Sequence, residues 1–128
     1  MPEKLLIDTD VLIDYLRGKT PAIQYLENLT ESLLVSSITI AELYAGVREG
    51  KERKALDEFV RAFEVVPVND EIAIKGGLYR RDYFKSHNLG LADAIIAATS
   101  EMKNAYLVTL NQKHFPMLIN VIVPYQKI

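Results

Sequence analysis

The sequence contains no cysteine and only two histidines among its 128 residues. The lack of cysteine excludes disulfides, thiolate metal sites and a cysteine nucleophile, and it fits a reducing compartment. No apolar run approaches the roughly 18 residues that a membrane span needs, and the first residues lack the pattern of a signal peptide. We therefore expect a cytoplasmic protein that makes no membrane contact.

The chain also lacks internal repeats, low-complexity tracts and linkers, so residues 1–128 are predicted to form one domain. Short apolar runs predict five strands, at 5–7, 33–36, 65–68, 106–109 and 121–123. Apolar residues at helical spacing predict six helices, near 11–17, 21–29, 40–47, 51–62, 70–85 and 91–102. This alternation predicts an α/β fold, a three-layer sandwich in which helices cover both faces of a mainly parallel five-stranded sheet.

Polar residues stand at the carboxyl ends of the predicted strands. Asp8 ends the first strand in the segment LLIDTDVLID, and Glu42 lies in the first turn of the helix after the second strand. Asp93 opens the helix that leads into the fourth strand, and Asn111 follows that strand. Residues just past the carboxyl ends of parallel strands converge on one crevice of an open sheet. We therefore expect these four side chains to meet at one edge.

Each acidic residue also has a purely structural explanation. Asp8 or Asp10 can cap the first helix. The segment Thr39-Ile40-Ala41-Glu42 matches the capping box, in which the glutamate side chain accepts a hydrogen bond from the backbone N–H of the N-cap residue. The helix dipole favours Asp93 by about 0.3–1 kcal/mol. However, Asp93 interrupts an apolar run, where an unpaired carboxylate costs several kcal/mol, so we expect a compensating partner.

Asp8, Glu42 and Asp93 are the predicted ligands of a divalent metal ion. Like charges about 4 Å apart repel by about 4 kcal/mol at an effective dielectric constant of about 20, and a cation removes that repulsion. Oxygen ligands favour Mg²⁺ or Mn²⁺, and the sequence offers zinc no cysteine and only His87 and His114. Such a site supports phosphoryl chemistry, because the metal orients water, lowers its pKa and neutralises phosphate charge.

The charge of the chain bears on a nucleic-acid substrate. The formal charge is −2, from 17 acidic and 15 basic residues, whereas nucleic-acid-binding surfaces are basic. If Asp8, Asp10, Glu42 and Asp93 belong to the metal site, 13 acidic residues face 15 basic ones on the rest of the chain. That remainder is net positive, so the formal charge does not exclude an RNA substrate.

Four segments together resemble the PIN domain and, among PIN domains, the VapC-type ribonuclease toxins of type II toxin–antitoxin systems. They read LLIDTDVLIDYLRG at 5–18, SSITIAELYAG at 36–46, LGLADAIIAAT at 89–99 and LVTLNQKHF at 107–115. Their order and spacing are similar to those of the family over essentially the whole chain. The resemblance implies the strand order 3-2-1-4-5. It also implies an endoribonuclease that uses metal-activated water and leaves a 5′-phosphate and a 3′-hydroxyl.

The resemblance also implies roles for the site residues. Asp8, Glu42 and Asp93 would hold Mg²⁺ or Mn²⁺, and Asn111 would join them in catalysis. Relatives can carry carboxylates where this chain has Asn111 and His114, so one tightly held ion is expected. The side chain of His114 is predicted to end a helix or to pack, rather than to act as a general base.

Substrate contacts and two further acids complete the predicted site. RNA contacts are assigned to Thr9, Arg80, Arg81 and Lys113, with Lys85 as a further phosphate contact and Tyr79, Tyr83 and Phe84 available for base stacking. The segment YRRDYFK is equally well explained as a solvated helix face. Asp10 is expected to support Asp8 or water on the metal, and Asp14 to be an exposed partner of Arg17 or Lys19.

Two protein partners follow from the resemblance, a cognate antitoxin and a second copy of the chain in a homodimer. A segment of the antitoxin would lie in an apolar groove between the first helices, lined by Leu16, Ile23, Tyr25 and Leu26. Core packing explains these apolar residues equally well.

Three alternatives remain open from the sequence. The segment DTDVL at 8–12 resembles the D-x-D-x-[VT] pattern of haloacid-dehalogenase-like phosphatases in its two aspartates, although Leu12 stands at the last position. In that pattern Asp8 would be the nucleophile. That assignment leaves Glu42 unexplained. A receiver domain needs an acceptor aspartate after the third strand, where this chain has Pro67-Val68-Asn69-Asp70. The third alternative is a PIN domain that binds RNA without cutting it.

Overall fold

Five parallel strands form the sheet at the centre of the fold. The computed structural model describes residues 4–126, so residues 1–3 and 127–128 of the predicted domain lie outside it. The strands are β1 (Lys4–Ile7), β2 (Ser32–Ser36), β3 (Glu64–Val66), β4 (Tyr106–Val108) and β5 (Val121–Ile122). Their order is β3-β2-β1-β4-β5, and every neighbouring pair is parallel. The expected strand order is therefore confirmed.

Helices connect the strands in the predicted alternation. They are α1 (Thr9–Leu16), α2 (Thr20–Glu27), α3 (Ser37–Ala45), α4 (Lys51–Val60), α5 (Asp70–His87) and α6 (Leu91–Met102), with a 3₁₀ turn at Gln112–His114. Within residues 4–126, none of the helices combines the length and the apolar character required to cross a membrane.

The sheet is covered on both faces because side chains of β1 alternate between two cores. Leu6 packs in one buried cluster with Ile96 of α6. Leu5 packs in a second cluster with Val11 of α1 and Leu43 of α3. Successive residues of a strand point to opposite faces of the sheet. The two clusters therefore lie on opposite sides of β1, which confirms the three-layer architecture.

Two predicted helix starts are wrong, and both errors concern the capping residue. The helix α3 begins at Ser37, three residues before the predicted start, because the buried Ser36 hydroxyl accepts a hydrogen bond from the N–H of Ile38 at 3.2 Å. Thr39 therefore lies inside the helix and not at its cap, which removes the capping-box explanation of Glu42. In α2, Thr20 is the first helical residue, and Lys19 precedes it without a side-chain cap.

Candidate active site

Asp8 is the buried carboxylate at the carboxyl end of the central strand. Its side chain is 4% exposed. One oxygen, Oδ1, accepts a hydrogen bond from the N–H of Thr9 at 2.8 Å, and Oδ2 accepts one from the Thr109 hydroxyl at 2.7 Å. Thr109 follows β4, the neighbour of β1 in the sheet. The parallel pairing of these two strands thus fixes the position of Asp8.

The negative charge of Asp8 is only partly compensated by its neighbours. Burial is the largest effect, and together with the nearby charges of Asp10 and Asp93 it raises the pKa of Asp8 to about 7. The hydrogen bonds from Thr109 and Thr9 act in the opposite direction. A cation bound beside Asp8 would reverse this shift, because it favours the charged carboxylate.

Asp10 holds the loop that follows β4. Its Oδ2 accepts hydrogen bonds from the N–H of Leu110 at 3.1 Å and from Nδ2 of Asn111 at 3.0 Å. The other oxygen, Oδ1, accepts from the N–H of Val11 at 2.7 Å. Asp10 therefore joins the first turn of α1 to Asn111, and its charge acts on Asp8.

Glu42 is connected to Asp8 through one intervening residue. Its Oε1 accepts a hydrogen bond from the Thr9 hydroxyl at 2.7 Å, and that hydroxyl lies 3.0 Å from Oγ1 of Thr39. Thr9 is mostly buried, at 8% exposure. The Thr9 hydroxyl, for which an RNA contact was predicted, therefore donates a hydrogen bond to Glu42 within the site. An RNA contact by Thr9 stays a prediction.

Asp93 faces a histidine from the loop after β4. It stands in the first turn of α6, and its Oδ2 lies 3.7 Å from Nδ1 of His114. Both side chains are partly exposed, at 38% for Asp93 and 41% for His114. Asp93 and the exposed Glu42 are thus accessible acids of the site, whereas Asp8 is the enclosed one.

The donor atoms suit a hard divalent cation, although they do not form a closed set. Within residues 4–126, no group of three or more histidine, aspartate or glutamate side chains is arranged so that it could hold an ion as placed. Carboxylate oxygens are nevertheless the ligands that Mg²⁺ and Mn²⁺ prefer, and Asp8 carries a charge that its neighbours do not offset. Asp8, Asp93 and Glu42 remain the residues that would hold such an ion.

The basic residues assigned to RNA divide into two places. On α5, the Arg80 guanidinium lies 3.7 Å from the centre of the Phe84 ring, and Nε of Arg81 lies 2.8 Å from Asp82. Lys113 is exposed in the 3₁₀ turn, next to His114. Their contacts with RNA stay predictions. Lys113 is nearest to the site in sequence, because the next residue, His114, lies 3.7 Å from the Asp93 carboxylate.

The expected exposure of Asp14 is wrong. Asp14 is 2% exposed, and its Oδ2 accepts a hydrogen bond from the Tyr125 hydroxyl at 2.9 Å. Lys19 is its ionic partner as predicted, at 3.7 Å. Asp14 lies one helical turn after Asp10, so the two acids share a face of α1. Asp14 also follows the buried Val11 by three residues, and that spacing was the signal in the sequence that Asp14 points inward.

A groove of about 530 Å³ opens between α1, α3 and α4. Its apolar lining includes Ile13, Leu16, Leu43, Val47 and Leu56, and Glu42 also borders it. Of the four residues expected to line an antitoxin groove, Leu16 is part of this lining, and Ile23, Tyr25 and Leu26 are not. Leu26 is instead buried in the core. The apolar residues Leu43, in α3, and Val47, two residues after that helix ends, were the sequence signal for this groove.

The fold and the carboxylates at its edge define a nuclease-like α/β domain, and comparison with known proteins agrees. Residues 5–116 match the PIN domain family. Ribonuclease VapC10 of Mycobacterium tuberculosis is 38% identical over 124 residues, which cover 94% of this chain and 92% of the relative. Ribonuclease VapC19 of the same organism is 40% identical over 124 residues, which cover 94% of this chain and 98% of that relative.

Solved structures show the same relationship. The structure titled as a toxin–antitoxin complex from Klebsiella pneumoniae contains a chain with a TM-score of 0.83 and 29% identity, covering 96% of this chain and 99% of that chain. The chain therefore belongs to the PIN domain family. Within that family, its relatives include the VapC ribonucleases.

Proposed function

We propose that this chain is an Mg²⁺- or Mn²⁺-dependent endoribonuclease and the toxin of a toxin–antitoxin pair, acting in the cytoplasm. Relatives that match over more than nine-tenths of the chain are named ribonucleases. The observation that carries the proposal is the buried Asp8, whose pKa is raised to about 7 at the sheet edge where Asp10 and Asp93 add negative charge. That electrostatic environment suits a doubly positive ion.

In this proposal the side chains of the site bind the metal ion and hold one another in position. Asp8, Glu42 and Asp93 would hold the ion, which when bound supplies an activated water and neutralises charge on phosphate oxygens. Thr9 fixes the Glu42 carboxylate. Asp10 accepts a hydrogen bond from Nδ2 of Asn111, so the side-chain oxygen Oδ1 of Asn111 is available to accept a hydrogen bond from water.

Substitution of Asp93 tests the nuclease assignment. We expect Asp93→Asn to abolish cleavage of single-stranded RNA in Mn²⁺ while the unfolding temperature stays the same or rises. The exposed control Glu58→Gln, on α4 and paired with Arg61, should cut RNA like the original chain, and chelation of the metal should stop both. Undiminished cleavage by Asp93→Asn would refute the assignment. Stabilisation by Mn²⁺ without any cleavage by the unaltered chain would instead support the PIN domain that only binds RNA.

The structure disfavours the phosphatase alternative. Both oxygens of Asp8 are engaged by Thr9 and Thr109, and the side chain is 4% exposed. The match of residues 5–116 to the PIN domain family also argues against this alternative. Mass spectrometry after incubation with a phosphate donor should therefore find no aspartyl-phosphate on Asp8.

The antitoxin is proposed to occupy the groove between α1, α3 and α4. The groove combines apolar side chains with the charged Arg17, Arg48 and Glu52, and it reaches Glu42, so a docked segment could place a basic side chain near the site. Leu16→Glu should abolish co-purification with a small protein encoded beside the gene of this chain. Ile119→Glu, at a residue 94% exposed and outside the groove lining, should leave it unchanged. Co-purification that survives Leu16→Glu would exclude this groove.

A homodimer is proposed as the assembly of the free chain. The TM-score of 0.83 relates the fold to a chain of a structure titled as a toxin–antitoxin complex, which supports assembly with other chains without fixing their number. Light scattering of the purified chain should give twice its mass of 14.5 kDa. A monomer at all concentrations would refute this part of the proposal.

A further inference from the structure

The long helix α5 carries two large apolar side chains that face solvent. Ile74 is 64% exposed and Leu78 is 44% exposed. They are one helical turn apart, so they lie side by side on one face of the helix. The opposite face of α5 packs closely on Ile95 of α6 through Gly76. Ile74 and Leu78 therefore form an apolar patch in the middle of α5, on the side away from the core.

Charged residues stand at both ends of this patch, and their signs differ. Asp70 and Glu71 lie in the first turn of α5, whereas Arg81 and Lys85 follow the patch, and all four are exposed. Arg81 donates a hydrogen bond from Nε to Asp82 at 2.8 Å, and its guanidinium carries further N–H donors. The face thus changes from acidic through apolar to basic along the helix.

A face with this order of charges is complementary to an antiparallel copy of itself. In a pair related by a twofold axis, the same patch of both copies forms the interface and every contact occurs twice. If the axis passes midway between Ile74 and Leu78, each Ile74 meets Leu78 of the partner subunit. At about 1.5 Å per residue, Asp70 lies about 9 Å from the axis in one direction and Arg81 about 7.5 Å in the other. Asp70 of one copy therefore faces Arg81 of the other.

We propose that two copies of this chain pair through the exposed face of α5, with the two helices antiparallel. The inference rests on the homodimer stated under the proposed function, and it names the contact surface. Ile74 and Leu78 form the apolar centre, and the acidic and basic ends form the polar rim. RNA fits this face less well, because the acidic end would repel its phosphates. Arg81, for which an RNA contact was predicted, is then an interface residue.

Matched substitutions of two exposed isoleucines test the surface. Ile74→Glu places a charge from each copy in the centre of the pair, so the dissociation constant of the dimer should rise at least about 30-fold, as for the loss of a central interface residue. The control Ile119→Glu, at a residue 94% exposed and outside α5, should leave the constant unchanged. Sedimentation equilibrium over a concentration series measures it, and circular dichroism checks that both variants fold.

Charge reversal tests the antiparallel arrangement. Asp70→Lys and Arg81→Glu should each raise the dissociation constant by about 3- to 10-fold, because the dimer contains the pair twice and an exposed ion pair contributes modestly. The double variant restores opposite charges and should recover most of the loss. If Arg81 instead contacts RNA, Arg81→Glu should weaken RNA binding without changing the dimer, which would overturn its place in the interface.

The lack of cysteine allows a distance measurement with one introduced label per copy. In the antiparallel pair, the labelled positions of Lys85→Cys should be about 28 Å apart, from the rise per residue and an interaxial distance of about 9 Å. In a parallel pair they would be about 9 Å apart. Pulsed EPR of nitroxide labels distinguishes the two, and the shorter distance would overturn the arrangement.

The outcomes separate this inference from the homodimer itself. A dimer that persists unchanged in Ile74→Glu, or a double variant as weak as the single ones, would overturn the α5 interface and leave the homodimer standing. An unaltered chain that stays monomeric at all concentrations would overturn the homodimer, and the α5 interface with it.

Discussion

At the scale of single residues, the burial of Asp8 disfavours the charged form of its carboxylate. Two hydrogen bonds hold its oxygens, yet burial and the charges of Asp10 and Asp93 raise its pKa to about 7. The unfolded chain releases this proton near 3.8. In the absence of metal, the free energy of unfolding should therefore fall as pH rises from about 4 to about 7.

The substitution Asp8→Asn removes the unfavourable burial of a charged carboxylate. The amide keeps one acceptor for the N–H of Thr9 and can donate to Thr109, so the shape and contacts are retained. At about pH 8 the metal-free variant should be more stable by at least about 1.4 kcal/mol, the worth of one pKa unit. The gain should shrink as pH falls below about 7. Urea denaturation at several pH values measures it, and a gain independent of pH would contradict the electrostatic explanation.

Thr9→Val decides between the two roles of the Thr9 hydroxyl. If Thr9 positions Glu42, the dissociation constant of Mn²⁺ should rise about 10- to 100-fold, while the KM for RNA at saturating metal stays close to its original value. If Thr9 contacts RNA, the KM should rise and the affinity for metal should stay the same. Calorimetry with Mn²⁺ and steady-state cleavage rates distinguish the two.

At the scale of elements, a close approach between α5 and α6 positions Asp93. A Cβ added to Gly76 would lie 3.0 Å from both Cα and Cγ1 of Ile95, two residues after Asp93. At Gly77 an added Cβ meets nothing within 4 Å. The two adjacent glycines thus have opposite requirements, although the sequence shows them as an identical pair.

Gly76→Ala and Gly77→Ala form a matched pair of substitutions. We expect Gly76→Ala to lower the free energy of unfolding by about 1–3 kcal/mol, because α6 must move away. Gly77→Ala should raise it by about 0.5–1 kcal/mol through helix propensity. Thermal and urea unfolding measure both, and equal effects would show that α5 and α6 do not pack this closely.

The elements themselves were predictable where the apolar pattern is strong. The predicted helix 91–102 coincides with α6, and the strand order followed once the motifs were recognised. The start of α3 was not, because Ser36 both ends β2 and caps α3 without an intervening loop. Contacts such as His114 with Asp93 depend on the path of the loop after β4, which periodicity does not specify.

At the scale of the whole molecule, the C-terminal segment is tied to α1 through a buried acid. Burial and the hydrogen bond to Asp14 raise the pKa of Tyr125. Asp14 is reached by this hydroxyl at 2.9 Å and by Lys19 at 3.7 Å. The residues after β5 therefore stabilise the helix whose first turn carries Asp10.

Tyr125→Phe tests this tie. Loss of the hydroxyl leaves Asp14 with Lys19 alone, and we expect a loss of about 1–3 kcal/mol in the free energy of unfolding. Tyr15→Phe is the control, because its hydroxyl bonds to Glu27 in an exposed position at 2.8 Å. It should change stability by less than about 0.5 kcal/mol. A loss in Tyr125→Phe no larger than in Tyr15→Phe would show that the segment contributes little.

The link between Asp8 and Thr109 spans 101 positions of the chain. On the ribosome, the first aspartate emerges long before the strand that clamps it, so a nascent chain carries the acids without their arrangement. Any chemistry of this edge must wait until the chain has been synthesised beyond β4 and Thr109. For the activity proposed above, the parallel pairing of β1 with β4 therefore postpones function until both strands have been synthesised.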